Sequence, residues 1–250
     1  MRVAALVLAL AVPAAAQDNS ALDRLDTRED LRGWEAIGRV DIADGGCCTG
    51  TLLASDLVLT AAHCVVEPGG ASIDAARITF RAGSADGSAI AESPVKRTVA
   101  APGFSGRENA PVEEMLYDVA LLQLANPIST GVVSPFTVDL PGSGDEVSVV
   151  SYAQGREEAL SWQRVCNVLD QRDGIIAVDC DVTFGSSGYR GNDRAGAYGM
   201  QLPVLVEDLK ARLRAGRVTS EAPATTAPPG LRRITVGSGN ADTSARFVKP

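Results

Sequence analysis

Thr60-Ala61-Ala62-His63-Cys64 is the stretch on which the reading of this chain turns. It contains the only histidine in 250 residues. The apolar run Leu57-Val58-Leu59 leads into it, so His63 is expected just past the end of a buried strand, on a turn that the adjacent cysteine can pin. If the protein does acid–base chemistry with imidazole, His63 carries it, because no second imidazole exists. A lone histidine in an arbitrary sequence is more often a hydrogen-bonded structural residue than a base. Here two distant segments reverse that balance. One supplies a carboxylate, Asp118, and the other a hydroxyl, Ser187.

On either side of the histidine turn the sequence is a succession of short strand signals. Trp34 to Ile42 alternates, Gly45-Gly46 turns the chain, and Thr49 to Ala54 and Asp56 to Ala61 follow. Arg77 to Ala82 alternates apolar and polar residues, the mark of a half-buried strand. Ala89 to Ala100 is extended, with a break expected at Pro94. Leu116 to Leu124 reads as a strongly apolar strand with Asp118 near its start. Asn126 to Gly144 carries three prolines and no clear period, and connects to a second half. There Glu146 to Tyr152, Ser161 to Val168, Gly174 to Val178 and Ala197 to Leu202 read as strands. Pro203 starts a helix in which Leu205, Leu209 and Leu213 share a face, Asp208 and Arg212 can pair at i,i+4, and Gly216 ends the run. Short strands separated by turn signals, with no earlier amphipathic helix, predict an all-β barrel or sandwich.

The start, Met1-Arg2 followed by an apolar run and Pro13-Ala14-Ala15-Ala16, reads as a secretory signal over residues 1–16. The run is too short to span a bilayer, and no later stretch is long enough, so no membrane association is expected after its removal. Residues 17–33 are polar and acidic and read as a loose N-terminal arm or pro-segment; residues 217–250, rich in Ser, Thr, Ala and Pro, read as a low-complexity, weakly attached tail. The net charge of -8 argues against a nucleic-acid partner, which would need a basic surface. Five cysteines in an exported chain predict disulfides. The expected pairs are Cys48–Cys64 and Cys166–Cys180, with Cys47 left over, although adjacency leaves the choice between Cys47 and Cys48 open. One histidine and no Cys-x-x-Cys pair give poor spacing for zinc, so no metal is expected.

An aspartate among Val, Ala and Leu is costly to bury unless a donor meets it. An imidazole N–H is such a donor, and that hydrogen bond would fix the ring tautomer so that the other nitrogen can accept a hydroxyl proton. Ser187 lies in Gly185-Ser186-Ser187-Gly188, where glycines allow close backbone approach, and the N–H groups of Gly185 and Ser187 can point at one oxyanion. With His, Asp and Ser in that order, the chain resembles the trypsin-like (chymotrypsin-fold) serine proteases. Thr60 to Cys64 matches the family's histidine box, Tyr117-Asp118-Val119-Ala120-Leu121-Leu122 its aspartate box, Gly185 to Gly188 its serine box, and Cys48-Thr49-Gly50-Thr51-Leu52 the strand bearing the cysteine partner.

The resemblance covers about Gly38 to Gly216 and implies two antiparallel six-stranded β-barrels, here residues 34–135 and 136–203, followed by a helix over 204–216. It implies a secreted or periplasmic, monomeric serine endopeptidase acting on polypeptides without a cofactor. Its catalytic residues would be His63, Asp118 and Ser187, and its rate should rise as His63 loses its proton. Asp181, six residues before Ser187, would sit at the base of the primary pocket and select Arg or Lys. Two departures stand out. Ser186 occupies the place of the aspartate that pairs with a newly cut N-terminus, and no Ile-Val-Gly-Gly start exists, so no ammonium–carboxylate switch is expected; bacterial relatives similar to glutamyl endopeptidases also lack that aspartate. After Gly188 the family's strand hairpin is missing, and the chain runs through Tyr189-Arg190-Gly191-Asn192-Asp193-Arg194 to the last strand. The second barrel is therefore expected to be incomplete. The alternative this raises is a catalytically impaired binding module on the same scaffold.

Overall fold

The computed structural model describes residues 22–107, 112–153, 155–180, 189–190 and 197–223. Its elements run β1 (Asp23–Leu25), β2 (Ile37–Ile42), β3 (Cys47–Ala54), β4 (Leu57–Thr60), β5 (Ile78–Ala82), β6 (Ala91–Ala100), β7 (Ala120–Leu124), β8 (Glu146–Ala153), β9 (Arg156–Arg172), β10 (Ile175–Val178), β11 (Tyr189–Arg190), β12 (Ala197–Met200), α1 (Leu202–Arg214) and β13 (Ser220–Glu221). The all-β class with one helix is as the sequence predicts.

The first half is a closed antiparallel barrel. Its strands follow the order β6-β5-β2-β3-β4-β7, and β6 pairs again with β7 to close the ring. Period-2 alternation fills it: Ile78, Phe80 and Ala82 point inward from β5 and join Val40, Leu52, Val58 and Leu122 in one core. Closure depends on β6, which runs along β5 through Pro94 and then along β7 from Val95. The break expected at Pro94 does not occur. The ring costs one N–H at the handover between partners, while the Pro94 carbonyl still accepts from the Ala125 amide at 2.9 Å.

The second half is an open antiparallel sheet. The order is β1-β9-β10-β12-β11, with β8 also on β9. Among the described residues it is a half-barrel, which agrees with an incomplete second barrel. Tyr152, Ala159 and Leu160 form its core with Leu25, Leu31, Ile37 and Ala85, and Trp34, Phe136 and Trp162 pack around them. A side-chain bridge joins the halves: the Thr49 hydroxyl donates to the Tyr152 carbonyl at 3.1 Å and accepts from the Tyr152 amide at 2.9 Å.

Three expectations need correction. The N-terminal arm is not loose: β1 pairs with β9, and Leu25 and Leu31 are buried at 4% and 2% exposure. The tail is not weakly attached as far as residue 223: β13 pairs with β6, and the Thr219 hydroxyl accepts from the Ala100 amide at 2.8 Å. Residues 224–250 lie outside the described part, as does the proposed signal, residues 1–16. Finally, the strand after Leu116 begins only at Ala120, because residues Val112–Tyr117 form a 3₁₀ turn and place Asp118 in the connection. Helix α1 follows the second half in sequence but returns to the first, where Leu209 and Leu213 pack on Val99, Val119 and Leu121.

Candidate active site

The imidazole is placed by the end of β4. Leu57–Thr60 pairs with β3 on one side and β7 on the other, and the chain then enters a single 3₁₀ turn, Ala62–Cys64. Thr60 fixes the exit, since its buried hydroxyl donates to the Thr49 carbonyl at 2.8 Å. Ala61 and Ala62 are buried in the barrel core. Cys64 is fully buried and bonded to Cys48 across β3. Both expected disulfides are present, Cys48–Cys64 and Cys166–Cys180. Cys47 is the free thiol, and burial pushes its ionisation upward, which makes it a poor nucleophile.

Asp118 arrives just ahead of the neighbouring strand: it lies two residues before Ala120, which pairs with Thr60 at the end of β4. Its amide donates to the Met115 carbonyl at 3.1 Å, closing the 3₁₀ turn. The next residue, Val119, is buried against α1, so the helix buttresses the carboxylate from behind. One Asp118 oxygen, Oδ1, accepts from the His63 backbone N–H at 2.9 Å, and the other, Oδ2, lies 2.8 Å from His63 Nδ1. The side chains differ in exposure, 45% for His63 and 25% for Asp118, so the acid is the more covered partner. A carboxylate in this position accepts the Nδ1 proton, which leaves Nε2 with a lone pair and the capacity to take a proton from a nearby hydroxyl.

Beside the imidazole lies a recess of about 360 Å³, lined among others by His63, Val66, Pro68, Phe104, Arg107 and Glu114. Its walls are largely apolar. Among the described residues, the one grouping with metal-ligand spacing is Cys48, His63 and Cys64. Its two sulfurs are joined as a disulfide, which leaves no thiolate to bind an ion.

Thus His63 and Asp118, 55 residues apart in sequence, are brought together. Ser187, Gly185 and Asp181 lie outside the described residues. Two contributors had no sequence signal: Thr49, whose hydroxyl links the histidine barrel to β8, and Glu114, whose carboxylate accepts from the Ser105 amide and hydroxyl. A search limited to apolar strands and glycine loops passes over both.

Comparison with known proteins gives the family and the fold. The family model described as a trypsin-like peptidase domain matches residues 48–188, more than half of the chain. Serine protease 23 of Mus musculus is 32% identical over 165 residues, which cover 56% of this chain and 41% of that relative. The chain therefore spans less than half the length of the curated relatives it matches. Among solved structures, a Glu endopeptidase in complex with MPD superposes with a TM-score of 0.63 at 16% identity, covering 77% of this chain and 96% of that one. An inactivated protease paralogue of the scabies mite superposes at 0.60 and 16% identity, covering 78% of this chain and 100% of that one. At these identities the two structures speak for the fold alone.

Proposed function

The chain belongs to the trypsin-like peptidase family, and on that premise we propose that it is a secreted serine endopeptidase working through an acyl-enzyme. The observation that carries this reading is the pair of hydrogen bonds from His63 to Asp118, at 2.9 Å from the amide and 2.8 Å from Nδ1. They orient the ring and hold its tautomer, the two things a general base needs before it can act.

In the proposed reaction Ser187 Oγ attacks the carbonyl carbon of the scissile peptide while His63 Nε2 takes the hydroxyl proton. The carbonyl electron pair moves onto oxygen, and the amides of Gly185 and Ser187 stabilise that oxyanion. The C–N bond breaks as His63 returns the proton to the leaving amine. Water then repeats the sequence on the ester. Asp118 stays ionised and balances the imidazolium. Asp181 at the base of the primary pocket would favour Arg or Lys before the cut. The substrate class is polypeptide, the enzyme is monomeric, and no cofactor or metal takes part. Two disulfides suit an oxidising compartment and support export, secreted or periplasmic, after removal of residues 1–16.

The docked N-terminal arm supports the absence of an ammonium–carboxylate switch, because a cut between Leu31 and Trp34 would release two leucines from the core. A second reading, a binding module on the same scaffold, is favoured by the second sheet, which among the described residues is an open half-barrel. The inactivated scabies-mite paralogue shares this fold.

Labelling of the purified chain with a fluorophosphonate separates the two. Labelling abolished by Ser187→Ala, together with cleavage of a denatured protein substrate, is expected. Labelling that survives Ser187→Ala overturns the nucleophile, and a folded chain that does not label at all supports the binding module.

A further inference from the structure

Two loops meet beside the imidazole. One follows His63, and the other leaves β6 at Ala101 and leads toward the 3₁₀ turn that ends beside Asp118. The Gly69 amide donates to the Gly106 carbonyl at 2.8 Å. Neither contact face has room for a side chain: a Cβ on Gly70 would lie 2.8 Å from the Ser105 carbonyl oxygen, and one on Gly106 would lie 2.8 Å from the Glu67 carbonyl oxygen. Both glycines also have positive φ, +90° and +67°. The recess next to His63 lies against these loops, and its wall includes Phe104 and Gly106.

Glu114 ties this wall to the acid-bearing turn. It is buried, and its carboxylate takes both donors of Ser105, the backbone N–H at Oε1 and the hydroxyl at Oε2, the latter at 3.0 Å. Those hydrogen bonds hold its carboxyl below the usual glutamate range. Ser105 sits between Phe104 and Gly106, so fixing it fixes both. A ring of contacts therefore surrounds the recess: His63 to its following loop, Gly69 to Gly106, Ser105 to Glu114, and the turn through Asp118 back to His63. None of the proposed chemical steps uses Glu114.

We propose that Glu114 is a positioning residue that sets the width of the recess beside His63, and so determines how tightly the enzyme holds the substrate side chain that enters it. The proposal rests on the endopeptidase reading for its substrate. Glu114 touches no reacting atom. It acts through Ser105, and only an ionised carboxylate accepts from both Ser105 donors while carrying the charge that strengthens each bond. Gln at this position keeps the shape but offers one acceptor oxygen, and Ala leaves the Ser105 amide without its partner.

The test uses the full chain and the variants Glu114→Ala, Glu114→Gln and Ser105→Ala. Two peptide substrates are compared, identical except for Leu or Gly at whichever residue flanking the cut most affects the wild-type KM. Glu114→Ala should raise KM for the Leu peptide about tenfold, the size of one lost charge-assisted hydrogen bond, with kcat within about twofold. The Gly peptide should change by less than about twofold, and the fluorophosphonate labelling rate should be preserved. Glu114→Gln and Ser105→Ala should fall between, and they keep the test alive if the alanine variant fails to fold. Equal effects on both peptides, or a loss confined to kcat, would overturn the proposal. Hydrogen exchange gives a readout without turnover: the Gly69 amide, which Glu114 never touches, should exchange about tenfold faster in Glu114→Gln. Unchanged protection there would also overturn it. If the wild-type chain neither labels nor cleaves, the endopeptidase reading falls by itself, and the exchange result together with calorimetric binding of the Leu peptide still decides the role of Glu114.

Discussion

Replacing Leu31 with alanine should unfold this protein as readily as a mutation deep in either half, although Leu31 lies in the polar N-terminal arm. The side chain is 2% exposed and packs in a cluster with Leu25, Tyr152 and Leu160. A leucine that is this buried loses its transfer energy and leaves a cavity, which costs about 3 kcal/mol within a usual range of ~2–5 kcal/mol. For a chain of this size 1 kcal/mol moves Tm by about 2–4 °C, so Leu31→Ala should lower it by about 6–12 °C. Leu25→Ala, at 4% exposure on β1, should behave alike. Val204 is the control: it is 82% exposed on α1, and Val204→Ala should stay within about 0.5 kcal/mol. Thermal unfolding followed by circular dichroism reads all three. If Leu31→Ala and Leu25→Ala shift Tm no more than Val204→Ala, the arm contributes nothing to the core and belongs with segments that maturation discards. The same reasoning expects Edman sequencing of the mature protein to begin upstream of Asp23.

Three further outcomes follow from the geometry. Asp118→Asn should cut kcat about 10⁴-fold through the wrong imidazole tautomer while moving the urea midpoint little; a loss below about tenfold would show that the acid does not orient the ring. Removing the Cys48–Cys64 bond as Cys48→Ala/Cys64→Ala should cost about 3 kcal/mol in urea unfolding, given its separation of 16 residues, and an unchanged midpoint would contradict this. Below pH 5 the protein should lose stability in part through Glu114 and Asp179, which side-chain hydrogen bonds from Ser105 and Asn167, respectively, hold below the usual carboxylate range. Groups depressed in this way contribute fully above their unfolded values, about 4, and lose that contribution as pH falls through the folded values. Glu114→Gln/Asp179→Asn should therefore flatten the acid limb and leave the pH 7 slope unaltered.

The histidine turn and the aspartate were legible because each combines an apolar strand with one residue that does not belong there. Leu57-Val58-Leu59 before His63 and Val119 to Leu122 after Asp118 give local, period-based signals that survive without knowledge of the fold. The 3₁₀ turn before Asp118 was hidden because Leu116 and Tyr117 extend the apolar run by composition, although the chain curls there to reach Ser105. β1 was hidden for the opposite reason. Its only inward side chain, Leu25, stands among Asp, Arg and Thr, and its partner β9 lies more than a hundred residues away. Pairing with a distant strand leaves no periodic trace in a three-residue segment. Pro94 was misleading in a third way. A proline ends a strand that keeps one set of partners, but β6 exchanges partners there, so the missing donor falls at the handover.

The two ends of the described chain are laced crosswise: the early β1 is sewn into the late sheet, and α1 with β13 is sewn back onto the early barrel. Each lobe takes an edge strand or a packing helix from the opposite end of the described chain. During synthesis the barrel that carries the imidazole can close once Leu124 is made, but β13 and α1 reach it only from the far end of the described chain, so the two lobes should melt as one cooperative body.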